Sequence, residues 1–338
     1  MICSWKHMSK KIIAGALLGT MLVLLGCSKN NGFEAPLSLE DLEDQNTPMN
    51  RGFVYTCNKT GNFEVWKHEG GTNTQITDNS ANDAWWPRYC SSTNKILYYR
   101  SRSGRDINDF ANAELWTMDA DGSNQELLLT VEGQGWDKQG LADWSPDGSS
   151  IILSAVDPSI GTWQLYQCDA DGKNVQRISN RDDVHFLDPV FSPDGTSIYY
   201  ISCPEGKENI DQNFEVFHLK LEDGEEERLT FNDHADHHPH PSPDGTTIAY
   251  ESLIDPNYLA IGKWVIHTLD LESYTETVLL DDDNINLFPR YSVEGDRIYY
   301  STLSVETFGM KVASYDLESG ESTLVIDDYY NALNVDPF

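Results

Sequence analysis

The chain has 338 residues, of which 23 are lysine or arginine and 55 are aspartate or glutamate, so its formal net charge is −32. Hydrophobic residues make up 39% of the sequence, which is enough for a folded core and excludes a wholly disordered chain. The negative charge excludes unassisted binding to nucleic acid, because the protein would repel the phosphate backbone.

The N-terminus carries the one long apolar run of the sequence, which excludes a protein with several membrane spans. Three lysines precede the apolar residues 12–25, and the run has the length of a secretory signal core. It ends in Leu24-Leu25-Gly26-Cys27, which resembles the lipobox of bacterial lipoproteins. This resemblance implies cleavage before Cys27 and acylation of its thiol, and several acyl chains give a stable membrane anchor.

The division of the chain follows from this leader. We expect residues 1–26 to be a lipoprotein signal peptide, or alternatively an ordinary signal peptide with a chance cysteine. Residues 27–50 are polar and acidic without periodicity, which indicates a flexible tether. Ser28 stands where some lipoproteins carry an inner-membrane retention aspartate, so the resemblance favours the outer membrane.

Repeats occupy the remainder, residues 51–338. Three segments contain Ser-Pro-Asp-Gly followed by apolar residues, beginning at Asp143, Val190 and His240, and weaker copies begin at Arg88 and Arg290. The proline presets φ and the glycine accepts a positive φ, so each motif predicts a tight hairpin turn. The strand after the turn is apolar on both faces, and two further short strands follow it. Four-stranded units of this kind pack face to face around an axis, which predicts a β-propeller.

The ends of the chain set the number of blades. Five complete units are present, and before them stand three strands of a sixth that lacks its first strand. The sequence ends in Asn334-Val-Asp-Pro-Phe338, whose Asp336-Pro337 aligns with Asp188-Pro189 at the start of another unit. We therefore predict an all-β, six-bladed propeller in which the C-terminal strand closes the first blade and removes the open edge.

These repeats resemble the TolB-like, PD40 (WD40-like) β-propeller family, whose pattern is Pro-x-aromatic-Ser-Pro-Asp-Gly before an apolar strand. The resemblance covers nearly all of residues 51–338. It implies a cell-envelope protein, periplasmic or surface-exposed. TolB itself has an additional N-terminal domain that this sequence replaces with a short tether, so its specific function is not implied.

Histidines are concentrated before one of the motifs. His238 and His240 are two residues apart on a predicted strand, so their side chains should leave on the same face, and His185 precedes the neighbouring blade. Imidazoles suit divalent metals, so these three residues are candidate ligands of Mn or Zn. The alternative interpretation is that they cap turns at the rim. No other cofactor is predicted, because no phosphate-binding glycine-rich loop is present.

The His-Pro-His sequence also resembles the motif of oligogalacturonate lyases, propellers in which histidines and a glutamine hold manganese for β-elimination. This chain departs from that family, because Ala235 stands at the position of the glutamine and six blades are predicted instead of seven.

Equivalent positions of the first strands should form a ring around the axis. By blade they are Arg88, Asp143, Val190, His240, Arg290 and the terminal Phe338. Clustered arginines with aromatic residues could bind a carboxylate or a sugar by forked hydrogen bonds and stacking. The candidate ligand-binding residues are Arg88, Arg290, Trp85, Trp86 and Asp188. The alternative is that the arginines pair with neighbouring acids such as Asp336 and neutralise the channel.

Two functions remain open at this point. The first is a monomeric, lipid-anchored binding module without catalytic residues, which presents one rim to an envelope protein or glycan. The second is a metal-dependent uronate lyase centred on the histidines. The first is preferred, because a propeller fold alone implies no activity and the lyase motif is incomplete.

Overall fold

The computed structural model describes four stretches of the chain, residues 52–104, 109–304, 309–327 and 330–338. The predicted signal peptide, the tether and the anchor residue Cys27 lie outside the described residues. Within the described stretches, 24 strands form six four-stranded antiparallel sheets. The predicted all-β, six-bladed propeller is confirmed.

Five blades are formed by consecutive strands. Blade 2 contains β4 (Asn82–Cys90), β5 (Lys95–Arg102), β6 (Glu114–Asp119) and β7 (Glu126–Thr130). Blade 3 contains β8 (Lys138–Trp144), β9 (Ser150–Val156), β10 (Trp163–Asp169) and β11 (Gln176–Arg177). Blade 4 contains β12 (Phe186–Phe191), β13 (Ser197–Ser202), β14 (Glu215–Lys220) and β15 (Glu226–Arg228). Blade 5 contains β16 (Ala235–Pro241), β17 (Thr247–Asp255), β18 (Lys263–Asp270) and β19 (Glu276–Leu280). Blade 6 contains β20 (Ile285–Tyr291), β21 (Arg297–Leu303), β22 (Met310–Asp316) and β23 (Ser322–Ile326).

Blade 1 joins the two ends of the propeller. Its outer strands are β1 (Phe53–Cys57), β2 (Glu64–Glu69) and β3 (Thr72–Gln75), and its innermost strand is β24 (Ala332–Pro337). β24 pairs antiparallel with β1, with Val54 opposite Asp336 and Thr56 opposite Leu333. The predicted closure is therefore confirmed, and the strand leaves no gap between the first and last blades.

The Ser-Pro-Asp-Gly turns connect the first and second strands of a blade. In blade 3, the Ser145 hydroxyl donates a hydrogen bond to Oδ1 of Asp147 at 2.7 Å and accepts one from the amide of Ser150 at 3.0 Å. Gly148 has a φ of 69°, the left-handed region that glycine adopts without strain. The same bonds recur in blades 4 and 5. The motif is thus a self-contained turn, which is why it repeats along the sequence.

The core lies between the blades. The second strand of every blade has a buried central part, and in β13 all six residues are buried. Helical structure among the described residues is limited to α1 (Val131–Gln134) and two 3-10 turns at Asp211–Asn213 and Tyr258–Ala260. No helix in the described stretches has both the length and the apolar character needed to cross a membrane.

Two faces of the propeller differ in what forms them. The loops between second and third strands and the loops between blades lie on one face, which we call the loop face. There Asn62 donates a hydrogen bond to the carbonyl of Asn79, and Thr162 to the carbonyl of Asp182. The opposite face carries the Ser-Pro-Asp-Gly turns and the turns before each outer strand, and we call it the turn face.

A β-bulge interrupts the innermost strand of every blade. In five blades one bulge residue has a positive φ between 49° and 58°, at Trp86, Asp188, His238, Phe288 and Asn334. Positive φ is uncommon outside glycine, above all for bulky residues such as Trp86 and Phe288, and costs about 1–3 kcal/mol at such positions. Because a bulge changes the direction of the side chains that follow it, these residues set which groups reach the axis.

Candidate functional site: the propeller axis

In each blade, one residue of the innermost strand faces the axis, just after the bulge, and together these residues form a ring. In the five blades with a positive φ it lies two positions after that residue. Strand pairing assigns six equivalent residues to this ring, one from each blade: Arg88, Asp143, Val190, His240, Arg290 and Asp336. The sequence prediction was correct for five blades and wrong for blade 1, where it placed Phe338.

The error at blade 1 is a shift of two residues. The bulge of β24 falls at Asn334, so Val335, and not Pro337, occupies the position of the prolines in the other blades. Phe338 lies beyond the end of the strand, where its ring packs on Tyr89 with centroids 4.8 Å apart. The residue that enters the ring is therefore an acid, Asp336.

Arg290 is held by two acids of the ring. Its Nη1 lies 3.1 Å from Oδ2 of Asp143, and its Nε lies 3.5 Å from Oδ1 of Asp336. All three side chains are about nine-tenths buried. The pairing that the second interpretation predicted for the arginines, with Asp336 as a partner, is present at Arg290.

Arg88 lies in the same layer and is also buried. It donates a hydrogen bond from Nη1 to the carbonyl of Pro87 at 2.8 Å, and its guanidinium lies 5.3 Å from the ring centre of Trp86. Burial and the proximity of Arg290 lower its pKa to about 10, while Asp336 acts in the opposite direction. Arg88 therefore keeps its charge at neutral pH despite its environment.

His240 completes the ring in an uncharged state. Its Nδ1 accepts a hydrogen bond from the amide of Tyr291 at 3.1 Å. Burial, followed by the nearby Arg290 and Arg88, lowers its pKa well below the ordinary value. Two arginines and two aspartates with a neutral histidine and a valine give this layer no net charge.

Aromatic rings cover the axis next to this layer. Trp86 contacts Phe288 and His238 with ring centroids 5.0 Å and 5.6 Å apart, and His238 contacts Phe288 at 4.7 Å. Trp85 points elsewhere, because it is fully buried between blades, where its Nε1 donates a hydrogen bond to Ser101. Trp85 is thus part of the core, whereas Trp86 belongs to the axis.

A small pocket remains beside these rings. Arg88, Asp188, His238, Phe288 and Arg290 contribute to its wall. The space open to the centre of a water molecule is about 20 Å³. That volume accommodates one or two water molecules or an ion and is too small for a sugar or a peptide side chain.

One group of histidines and acids stands at this pocket. Ligand atoms of Asp188, His237 and His238 all lie within 4.8 Å of one another. Oδ2 of Asp188 is 3.6 Å from Nδ1 of His237 and 3.6 Å from Nε2 of His238. On its other side, Nδ1 of His238 is hydrogen-bonded to Oε1 of Glu251 at 3.0 Å.

The charges of this group depend on each other. Burial by itself lowers the pKa of His238, but Asp188 and Glu251 outweigh it, so the pKa is raised. Burial tends to raise the pKa of Asp188, and the two histidines reverse this effect and lower it. His238 and Asp188 therefore stabilise each other's charged forms.

The predicted ligand set of His185, His238 and His240 is not assembled among the described residues. The bulge between His237 and His240 interrupts the alternation of side chains, so the shared face that was predicted for His238 and His240 does not form. His185 accepts a hydrogen bond from the amide of Trp163 at Nδ1 and contacts Phe214. His237 and Asp188 take the places that were predicted for His240 and His185.

Sequence reasoning missed His237 and Glu251. His237 was one of several adjacent histidines, and only the bulge selects it. Glu251 had a signal, because it stands between Tyr250 and Ser252 in a strand that is otherwise buried. A carboxylate there needs partners, and it accepts hydrogen bonds from His238 and from the amide of Phe288.

The fold and this filled axis define a closed six-bladed β-propeller. Residues 138–261, about a third of the chain, match the family model described as PD40, the TolB β-propeller domain. This part of the chain is therefore similar to the TolB β-propeller domain.

Solved structures agree with this assignment at the level of the fold. TolB from Acinetobacter baumannii superposes with a TM-score of 0.66 at 17% identity, over 85% of this chain and 66% of that protein. A TolB from Agrobacterium tumefaciens gives 0.60 at 17% identity, over 85% and 98% of the two chains. A chain of a nidogen/laminin complex gives 0.61 at 9% identity, over 85% and 97%. Comparison with curated proteins finds no match.

Proposed function

We propose that this protein is a lipid-anchored scaffold of the bacterial cell envelope that binds a protein partner through its loop face. The observation that carries the proposal is the filled axis. Because Arg290, its two aspartates and the rings of Trp86 and Phe288 occupy the channel, any ligand larger than a few waters has to bind outside it.

A protein fits the exposed surface better than a glycan. The two tryptophans that the sequence offered for stacking on a sugar, Trp85 and Trp86, have only 0% and 5% of their surface exposed. On the loop face, large apolar side chains are exposed instead. Among the described residues they are Ile210, Phe231, Leu259 and Tyr330. Three of these four lie in loops of blades 4 and 5, so we place the contact surface in that sector.

The charge of the chain indicates the character of the partner. With a formal net charge of −32, the protein attracts a basic surface and repels an acidic one. Association should therefore become slower and weaker as the ionic strength rises.

The envelope location and the anchor rest on the lipobox resemblance and on the TolB-like fold. The anchor is tested with Cys27→Ser in the full-length chain. We expect metabolic labelling with a palmitate analogue in the wild type and none in the variant, and equal labelling of the two would contradict the anchor.

The binding surface is tested by photo-crosslinking in cells. A photoreactive amino acid replaces Phe231 or Ile210 on the loop face, or Val293 or Tyr274 on the turn face as matched exposed apolar controls. We expect one discrete crosslinked protein from the loop-face positions, with a yield that falls at high salt. Crosslinks from the turn-face positions alone, or from neither face, would overturn the proposal.

No specific observation favours the uronate lyase. That hypothesis was centred on His238 and His240, with His185 as an additional ligand. The bulge in β16 interrupts the shared face of His238 and His240, and His185 and His240 accept backbone hydrogen bonds instead. We therefore do not propose an enzymatic activity.

A further inference from the structure

The group at the pocket has the geometry of a metal site. The two distances of 3.6 Å from Asp188 to His237 and His238 are longer than hydrogen bonds, which lie at about 2.7–3.2 Å. Neighbouring ligands around one ion with bonds of about 2.0–2.2 Å are separated by about 3.0–3.6 Å, depending on coordination geometry. Both distances from Asp188 therefore fit ligands of a common ion, and the ligand atoms of the two histidines lie within 4.8 Å of each other.

The residue behind His238 is of the kind that usually supports a metal-bound histidine. Metal-bound histidines usually donate their second N–H to a carboxylate, which fixes the tautomer and the orientation of the ring. Glu251 occupies that position toward His238, with a contact of 3.0 Å between Oε1 and Nδ1. Glu251 is itself held, because it also accepts a hydrogen bond from the amide of Phe288 and only 2% of its surface is exposed. This arrangement leaves Nε2 of His238 directed toward Asp188.

The surroundings provide both rigidity and an open coordination position. His237 packs edge-on against Phe214 and Trp264, and His238 packs against Phe288, so both rings are fixed. The adjoining pocket, with room for one or two waters, includes Asp188 and His238 in its wall. Three protein ligands and a water make a complete shell for a four-coordinate ion.

Electrostatics favour a cation here. Asp188 and Glu251 are two buried acids at the group, and the nearest arginines serve other contacts. Arg290 pairs with Asp143 and Asp336, and Arg88 acts on Asp188 from a distance while bonding to its own backbone.

We propose that Asp188, His237 and His238 bind one divalent transition-metal ion, with Glu251 as the positioning residue behind His238. Two imidazoles and one carboxylate are a ligand set that suits Zn²⁺ and also accepts Mn²⁺ or Fe²⁺. The metal joins blade 4 to blade 5 across their innermost strands. This site shares only His238 with the sequence-predicted set and is independent of the partner proposed above.

Zinc binding to the purified mature protein tests the proposal. After chelation and removal of the chelator, ZnCl₂ is titrated by calorimetry, and the melting temperature is recorded with and without the metal. We expect one Zn²⁺ per chain and a rise in the melting temperature that increases with free Zn²⁺. Binding well below one equivalent, or an unchanged melting temperature, would overturn the proposal.

Variants assign the ligands. His237→Gln and Asp188→Asn should each weaken Zn²⁺ binding at least about tenfold, and Glu251→Gln about 10- to 100-fold. His234→Gln is the matched control, because this histidine is close in sequence and outside the group, and it should change binding less than about twofold. The melting temperature of each metal-free variant shows whether it is folded.

The visible spectrum of the Co²⁺ form adds a readout that does not depend on stability. We expect the wild type to show the intense visible absorption of a four-coordinate Co²⁺ ion, and we expect this absorption to be lost in His237→Gln. Zinc binding that survives in both His237→Gln and Asp188→Asn but is lost in a folded His240→Gln would assign the ion to the other histidine pair and contradict this site.

Discussion

The turn face and the axis of this propeller follow opposite rules. On the turn face, a serine donates to the aspartate two residues later in blades 3, 4 and 5, at 2.7, 2.6 and 2.6 Å. At the axis, the six equivalent positions carry arginine, aspartate, valine, histidine, arginine and aspartate. Repetition therefore encodes the fold, whereas departures from repetition carry whatever is particular to this chain.

The largest effect should come from breaking the axis. Arg290→Met leaves Asp143 and Asp336 as buried acids without their ion-pair partner, which should lower the free energy of unfolding by about 3–5 kcal/mol. Arg297→Met is the control, because Arg297 pairs with Asp316 at 2.6 Å where both side chains are about a quarter exposed. That exposed pair should contribute far less to stability in urea denaturation.

A rescue distinguishes unpaired charge from lost packing. Asp143→Asn and Asp336→Asn, added to Arg290→Met, should recover most of the lost stability, because the buried charges are removed together. Equal losses in Arg290→Met and Arg297→Met, or a rescue that recovers nothing, would show that the axis is not organised by charge.

The same contrast explains which parts of the structure could be predicted from sequence. The three Ser-Pro-Asp-Gly turns form from bonds between residues that are close in sequence. With their two weaker copies they predicted five blades, and the sixth followed from the unpaired ends. Phe338 was misplaced because the register of β24 is set by a bulge at Asn334, which no local motif marks.

The metal-ligand set failed for a related reason. Alternation along a strand placed His238 beside His240, and the bulge that opposes two residues to one cancelled this inference. Asp188 is on a different blade from His237 and His238, so only the packing of blade 4 against blade 5 brings the three together. Neither the bulge nor the curvature of the ring can be read from one repeat.

One polar position is repeated in some blades only, and so is intermediate between the repeated turns and the variable axis. At the start of the third strand, Glu64 and Gln164 each accept a hydrogen bond from a hydroxyl that follows the outer strand, donated by Thr77 and Ser179. Glu215 is the equivalent residue of blade 4, where Arg228 lies 2.8 Å from its Oε1. Gln164 shows that the fold accepts the neutral amide at this position.

The second prediction uses this natural difference. Burial raises the pKa of Glu215 from 4.5 to about 7, against the opposing effect of Arg228. Since the folded state binds this proton more tightly than the unfolded state, the stability it contributes is complete below pH 4.5 and is lost as the pH rises to about 7. Solvent and Arg228 screen the carboxylate, so the loss should be about 2 kcal/mol.

Glu215→Gln should therefore flatten the fall in stability between pH 4.5 and 7, measured by urea denaturation at several pH values. Glu222→Gln is the control, because Glu222 is exposed in a turn of the same blade, and its curve should run parallel to the wild type. Curves that stay parallel for Glu215→Gln as well would mean that this carboxylate is ionised throughout.

The smallest expected effect is a difference in stability between the same substitution made in two copies of the repeated turn. Gly148 and Gly195 have φ values of 69° and 72°, so alanine at either position is strained by about 1 kcal/mol. Their neighbours differ: a methyl group at 148 would lie 2.5 Å from Cγ2 of Thr93, whereas at 195 the nearest atom is Cδ of Pro146 at 3.5 Å. Gly148→Ala should therefore cost about 1 kcal/mol more than Gly195→Ala in the same denaturation experiment. Equal costs would mean that the turns are alike in their packing as well as in their hydrogen bonds. A measured difference would show that even on the turn face only the bonds within the turn repeat, because packing against the preceding blade depends on residues outside the motif.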